Sequence, residues 1–331
     1  MDDLTLVTGA TGFIGSHLVR ALLARGEGVR VLVRGGPERL APVGLGDEPD
    51  LDVAVGDLLD PSTLAPALEG VRRVYHVAGL VTTSRKERDR VHRLNVDATV
   101  NLFDAIRRAA VERTVYLASI FALGGGAGGR PADETVAYDL EDLDVDYVRA
   151  KRRAELHALR CRDEGMPLVF VYPTFCYGPG DVNRSSSKLI DMHLSGLLMA
   201  SFRGGQNVMD VRDAARGLVL GMDAGRVGEQ YLVGGENLSY ERIGAILSSI
   251  TGRPRPRLAI PAGPARLAGR LAERFLKTPP VDEGSILLAS RYWYYDDSKA
   301  RRELGHSSRP AEQALRDAVE WIEGQRRAGR R

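Results

Sequence analysis

Tyr147 and Lys151 stand four residues apart in Tyr147-Val148-Arg149-Ala150-Lys151, a spacing that puts a phenol and an ammonium one turn apart on one face of a helix. The run through Ala154, Leu156 and Leu159 continues a helical period past both. A free phenol titrates near ~10, so it needs a neighbouring cation to give or take a proton near neutrality, and Lys151 is that cation. The chain has only five lysines, at 86, 151, 188, 277 and 299, so a chance Tyr-to-Lys spacing is uncommon. It recurs nonetheless at Tyr295-Asp296-Asp297-Ser298-Lys299. There Asp297 reads as an N-cap between an aromatic strand and a short helix, and the pair is read as structural. Ser119 closes the apolar strand Val115-Tyr116-Leu117-Ala118, where its hydroxyl can donate to a carbonyl; a plain turn residue is the alternative. Asn95 is a polar side chain inside a helix, explained either by a local backbone bond or by a structural or relay role.

These side chains need elements to position them and a reactant to act with. Thr8-Gly9-Ala10-Thr11-Gly12-Phe13-Ile14-Gly15 follows the apolar run Leu4 to Val7 and opens an amphipathic helix, the arrangement that seats a dinucleotide pyrophosphate. Gly9 serves the turn, Gly12 the approach of backbone to phosphate, and Gly15 the packing of helix on sheet. The alternative is a tight strand-to-helix turn with no ligand. After the second strand, Val29 to Val33, stands Arg34, where an acidic residue would hold an adenosine ribose. A guanidinium suits a 2′-phosphate, so NADP(H) is the preferred cofactor and NAD(H) the second, with Arg39 as a helper; a solvated surface arginine is the other reading of Arg34. Asp57, after the third strand, is a candidate for the adenine edge, and Lys151 for the nicotinamide ribose.

Alternating strand and helix patterns run to Pro173, which predicts an α/β fold with a doubly wound, mostly parallel sheet. Residues 1–175 are expected to form the dinucleotide-binding domain, with 206–235 returning to its sheet; 176–205 and 236–331 form a smaller, interleaved substrate lobe. The stretch Arg184-Ser185-Ser186-Ser187 reads as a lid loop before a small helix near Leu189 to Leu198, and Gly124 to Gly129 as a flexible loop beside Ser119.

The 331 residues are 44% apolar and carry a net charge of +2, enough for one large core and no dedicated nucleic-acid surface. Cys161 and Cys176 suggest no disulfide framework, and no Cys/His cluster has metal-ligand spacing. No stretch is long and apolar enough to span a bilayer, and the first strand begins almost at Met1, so a cytoplasmic enzyme without membrane insertion is expected.

Taken together, the glycine turn, Gly56-Asp57-Leu58, His76-Val77-Ala78-Gly79, Asn95, Ser119, Tyr147 with Lys151, Tyr177-Gly178-Pro179-Gly180, Val211-Arg212-Asp213 and Asp297-Ser298-Lys299 resemble the extended short-chain dehydrogenase/reductase superfamily. Within it the chain is most similar to the dihydroflavonol-reductase-like branch, which includes hopanoid-associated sugar epimerases. The resemblance runs from Thr8 to about Trp321 and implies a Rossmann-type fold. It implies Tyr147 as acid/base, Lys151 on the ribose, Ser119 on the substrate oxygen and Asn95 as a fourth catalytic residue. Cofactor contacts are then Gly9, Thr11, Gly12, Phe13, Ile14, Gly15, Arg34, Asp57, Leu58, Val77, Ala78, Gly79, Tyr147, Lys151 and Pro173. A homodimer is implied as well. Two departures are Tyr172, in place of the Arg usual before Pro173, and Asp146, before the catalytic Tyr.

For the substrate, Gln206-Asn207-Val208-Met209-Asp210 lacks the arginine that sugar-nucleotide members carry. The pocket candidates Val81, Thr82, Phe121, Phe175, Cys176, Tyr177, Met192, Leu198 and Met209 are mostly apolar and suit a small hydrophobic carbonyl compound. The leading reading is an NADPH-dependent reductase of a ketone or aldehyde. The alternatives are a sugar or sugar-nucleotide epimerase or dehydratase, and a catalytically silent dinucleotide-binding regulator.

Overall fold

Short runs rich in Val and Leu form the strands of the main sheet, and the burial of their side chains on both faces requires a helical layer on each side. A computed structural model describes residues 4–125, 127–184, 186–196, 200–201, 203–254, 258–259, 262–275 and 282–329. The strands in chain order are β1 (Leu4–Thr8), β2 (Val29–Val33), β3 (Leu51–Val55), β4 (Val71–His76), β5 (Arg113–Leu117), β6 (Leu168–Pro173), β7 (Phe175–Tyr177), β8 (Ala200–Ser201), β9 (Gly205–Asp210), β10 (Gln230–Val233), β11 (Glu236–Ser239), β12 (Leu258–Ala259) and β13 (Tyr292–Trp293). The main sheet is parallel throughout, in the order β10-β6-β5-β4-β1-β2-β3. This is the Rossmann-type α/β fold. Strand order reverses between β1 and β4, so a crevice opens at their carboxyl ends, where open α/β sheets take their ligands.

Each face of the sheet has its own core. On one side Leu102, Phe103, Val148 and Ala158, from helices Ala98–Arg108 and Asp146–Asp163, pack on Tyr116, Phe170 and Tyr172. On the other, Leu18, Leu22, Leu218 and Met222, from helices Phe13–Leu23 and Val211–Ala224, pack on Val7, Val115 and Val171. A third cluster, including Tyr177, Ile190, Val208, Ile243, Leu315 and Ile322, packs helices against β7 and β9.

The expected return of 206–235 to the main sheet is corrected in part. β10 does pair with β6, but β9 lies in a second sheet, between β11 and β13, with β7 also paired to it. The reason is edge occupancy: β10 takes the free edge of β6, while β9 finds antiparallel β11 directly after β10. β8 and β12 form a separate two-stranded pair. The small helix expected near 189–198 is Lys188–Leu194; Ser185 and Leu198 lie outside the described residues. Among the described residues no helix is long and apolar enough to cross a membrane.

Candidate functional site

A cleft of about 1810 Å³ follows the carboxyl ends of the main strands and continues along β7 and the helices Lys188–Leu194 and Glu283–Ala289. At its floor the turn after β1 is shaped by two glycines. Gly9 has φ +79, and a Cβ there would lie 2.7 Å from the Ala78 backbone nitrogen; a Cβ on Gly15 would lie 2.1 Å from the Gly9 carbonyl oxygen. Neither position admits a side chain, so β1, β4 and the first helix meet at backbone distance. Gly12 caps that helix without a side-chain bond, which leaves the first-turn amides of Phe13 and Ile14 directed at the cleft. Thr8 Oγ1 fixes the neighbouring loop by accepting from the Val77 and Ala78 amides, at 3.2 and 3.3 Å. The same hydroxyl is 2.9 Å from His76 Nδ1, and His76 Nε2 is 2.9 Å from Thr99 Oγ1. Burial pushes the His76 imidazole down to about 3.

Toward one end of the cleft, Arg34 and Arg39 are exposed, and both line it. Asp57 and Leu58 line it beside them; one Asp57 carboxylate oxygen accepts from the Leu59 amide at 2.9 Å.

At the centre, Ser119, Tyr147 and Lys151 converge. Ser119 ends the segment after β5 and caps the short helix Ile120–Leu123, accepting from the Phe121 amide at 3.3 Å. Tyr147 and Lys151 lie on the buried face of helix Asp146–Asp163, each 6% exposed. Burial pushes the Tyr147 phenol up to about 12, against a hydrogen bond from Ser119 that pulls it down. Burial likewise brings the Lys151 ammonium down to about 8, against the Glu155 carboxylate, which holds it up. The expectation that Lys151 brings the phenol toward neutrality is thus corrected: desolvation dominates, and the phenol is held protonated. Gly79 is wedged against this group, since a Cβ there would lie 2.9 Å from Asn95 Oδ1 and 3.2 Å from Lys151 Nζ.

Asn95 does not line the cleft but stands behind its wall, in the π-helical turn Arg93–Asp97. Its Nδ2 donates to the Leu80 and Val91 carbonyls at 3.0 and 2.9 Å, and its Oδ1 accepts from the Leu80 amide at 3.2 Å. The local backbone bond weighed for it is present, to Val91, together with a structural bridge to Leu80 in the loop after β4.

The wall beyond Tyr147 is aromatic. Phe121 meets Tyr147, Phe175 and Trp293 edge to face, with ring centroids 5.8, 5.9 and 4.9 Å apart. Val81, Thr82, Cys176, Tyr177, Met192 and Pro173 all line the cleft. Met209 is corrected: it is fully buried in the core with Leu18, Val211 and Leu218 and does not line the cleft. Its register partner on β7 is Cys176, but along β9 it is Gln206 that reaches the cleft.

Several lining residues escaped the sequence reading. Thr83 Oγ1 is 2.8 Å from Ser285 Oγ, which donates to Asp282 Oδ2 at 2.8 Å, and Ile286 and Leu288 add apolar surface. The only sequence signal there was Asp282 as N-cap to helix Glu283–Ala289, which marks a helix start and not its position. The second Tyr-to-Lys pair is structural: the Tyr295 hydroxyl donates to the Gly124 carbonyl at 2.9 Å, and Lys299 Nζ binds Glu229 and the Gln230 carbonyl. Both cysteines are free and buried. Among the described residues no three His, Cys, Asp or Glu side chains are grouped to hold a metal.

Residues 5–234 match the model of the NAD dependent epimerase/dehydratase family. A Synechocystis sp. protein bearing the provisional name dihydroflavonol 4-reductase is 36% identical over 98% of this chain and 95% of its own length. Sterol demethylase protein B of Methylococcus capsulatus is 37% identical over 96% of this chain and 98% of its own. The crystal structure of gox2253 superposes with a TM-score of 0.84 at 34% identity, over 98% of both chains. A dinucleotide-shaped turn, a Ser, Tyr and Lys converging at the mouth of a parallel sheet, and these likenesses place the chain in the NAD-dependent epimerase/dehydratase family of extended short-chain dehydrogenases/reductases, as an oxidoreductase that uses a nicotinamide dinucleotide.

Proposed function

We propose that this protein is an NADPH-dependent reductase of a ketone or aldehyde borne on a largely apolar small molecule. The observation that carries the reading is the convergence of Ser119, Tyr147 and Lys151 on one cleft, with the phenol pushed up by burial against an aromatic wall. A reduction that creates an alkoxide needs a proton donor already charged with its proton, and Tyr147 is in that state across the neutral range. The bound dinucleotide supplies the hydride, from its nicotinamide C4. Ser119 donates a hydrogen bond to the substrate carbonyl oxygen, Tyr147 delivers its proton to that oxygen, and Lys151 holds the nicotinamide ribose and offsets the phenolate left behind. Asn95 keeps the loop after β4 at the right height. Residues 9–15, 57–58, 77–79 and 173 form the dinucleotide cradle, and Arg34 selects the 2′-phosphate.

The dinucleotide domain is then 1–175 with 211–235, and the substrate lobe 176–210 and 236–331, because β9 pairs in the second sheet while β10 returns to β6. Val81, Thr82, Phe121, Phe175, Cys176, Tyr177 and Met192 contact the substrate. A relative named for sterol chemistry supports a lipophilic compound.

The test is Tyr147→Phe, with NADPH oxidation followed on a panel of aryl and alkyl ketones. Turnover is expected to fall by about 10²- to 10⁴-fold with NADPH affinity unchanged. Full turnover in the variant defeats the assignment of Tyr147. Retained cofactor with no net oxidation on any ketone transfers the site to epimerase or dehydratase chemistry.

A further inference from the structure

Helix Asp146–Asp163 carries a third ionisable group on the face that holds Tyr147 and Lys151. Glu155 follows Lys151 by one turn and is 1% exposed. Its Oε1 accepts from the Tyr172 hydroxyl and, at 3.4 Å, from Gln230 Nε2, while its Oε2 is buried with no hydrogen-bond partner. Tyr116 from β5, Tyr172 from β6 and Gln230 from β10 face it across the sheet; Arg152 and Lys151 face it from its own helix. A neutral glutamine would fill the same volume and serve Tyr172 equally. Packing alone therefore gives no reason for a charge here, and an incompletely bonded buried carboxylate is costly unless a cation answers it. Lys151 lies on the same buried helical face, four residues before Glu155, and this carboxylate acts to hold its ammonium protonated.

We propose that Glu155 is a positioning residue of the site, whose buried carboxylate is the counter-charge that keeps Lys151 protonated one turn away. The inference rests on the assignment of Lys151 to the nicotinamide ribose. It also gives a physical role to Tyr172, the departure from the family pattern before Pro173, because the Tyr172 hydroxyl orients Glu155. Because burial lifts the Glu155 carboxyl to about 7, the support it gives Lys151 is present above that pH and fades below it.

The test compares the whole protein with Glu155→Gln, Glu155→Asp and Tyr172→Phe. NADPH dissociation constants are measured by calorimetry from about pH 6 to pH 9.5, a range chosen to bracket both groups, together with kcat/KM and thermal unfolding. Glu155→Gln is expected to move the alkaline loss of NADPH affinity about one unit toward lower pH, an approximately tenfold weakening on that limb, and to match the parent near the acid end. Glu155→Asp restores part of the profile. Should Glu155→Gln not fold, Tyr172→Phe reports instead, with a smaller shift in the same direction. A parent profile with no alkaline limb, or a variant profile that superimposes on the parent whatever the change in Tm, overturns the proposal. An inactive Tyr147→Phe beside an unshifted Glu155→Gln removes only the role of Glu155, whereas an active Tyr147→Phe removes the site reading beneath it.

Discussion

Replacing Arg34 by Ala tests the cofactor preference at a single charge. Arg34 is exposed just after β2 and Arg39 in the 3-10 turn Pro37–Val43, and no side-chain hydrogen bond or ion pair to a described residue holds either guanidinium away from a 2′-phosphate. A hydrogen bond to a charged group contributes about 1.5–3 kcal/mol when shielded, and an exposed ion pair about 0.2–1 kcal/mol. A bidentate arginine on a phosphate at the cleft rim falls between them, at about 1–2 kcal/mol, which is roughly a 5- to 30-fold rise in the NADPH dissociation constant. NADH lacks that phosphate, so its affinity should stay within about twofold and serves as an internal control. Calorimetric titration with both dinucleotides measures the difference directly. Because the pair is exposed, the effect should also shrink as salt rises and the screening length falls from about 8 Å to about 3 Å. Equal weakening of both cofactors would mean that Arg34 supports the fold of the rim, and no change in either would assign it to solvent; each result refutes the 2′-phosphate argument.

Asn95→Ala removes three hydrogen bonds and leaves Leu80 backbone groups unpaired behind the cleft wall, so urea unfolding should show a loss of about 2–4 kcal/mol. Gly15→Ala places a methyl 2.1 Å from the Gly9 oxygen, and calorimetry should find dinucleotide binding abolished even where circular dichroism shows the remaining fold intact. His76 is held neutral in the folded state, with its pKa lowered from 6.5 to about 3, so the unfolded chain binds the extra proton between those values. Stability should therefore fall as pH drops below about 6.5, with a slope approaching about 1.4 kcal/mol per pH unit from this one group, and His76→Gln should flatten urea-melt profiles in that window.

What the sequence made legible is local. The glycine turn, the Tyr147 and Lys151 spacing and Ser119 at a strand end each lie within one strand-turn-helix unit, and the parallel topology then brings those units to one crevice. Met209 was misplaced because an apolar residue near a predicted strand end looks the same whether it faces a ligand or a core, and its burial depends in part on Leu18, 191 residues upstream. β9 was assigned to the wrong sheet for a related reason: β11, β7 and β13 compete for it, and pairing depends on which edges remain free. The Asp282 and Ser285 corner was invisible because its partner, Thr83, is 202 residues away. Tyr172 stood out as a departure without a cause, and its cause is Glu155, two turns beyond Tyr147 on the same helix.

The link between the loop after Ser119 and the segment that follows β13 has a consequence for biosynthesis. Ala132 exchanges backbone hydrogen bonds with Tyr294 and Asp296, and the Tyr295 hydroxyl closes on Gly124, 171 residues away. At ribosomal speeds of about 5–20 residues per second, the nascent Ser119 loop waits roughly ten to thirty seconds for that partner. The Phe121 ring waits equally long for Trp293. The dinucleotide turn at residues 8–15 can form early, but the wall of the reactive centre is completed only once Trp293 and Tyr295 have been made. A chain terminated before Trp293 is therefore born with its Phe121 face uncovered, and the defect falls on the chemistry as much as on the missing tail.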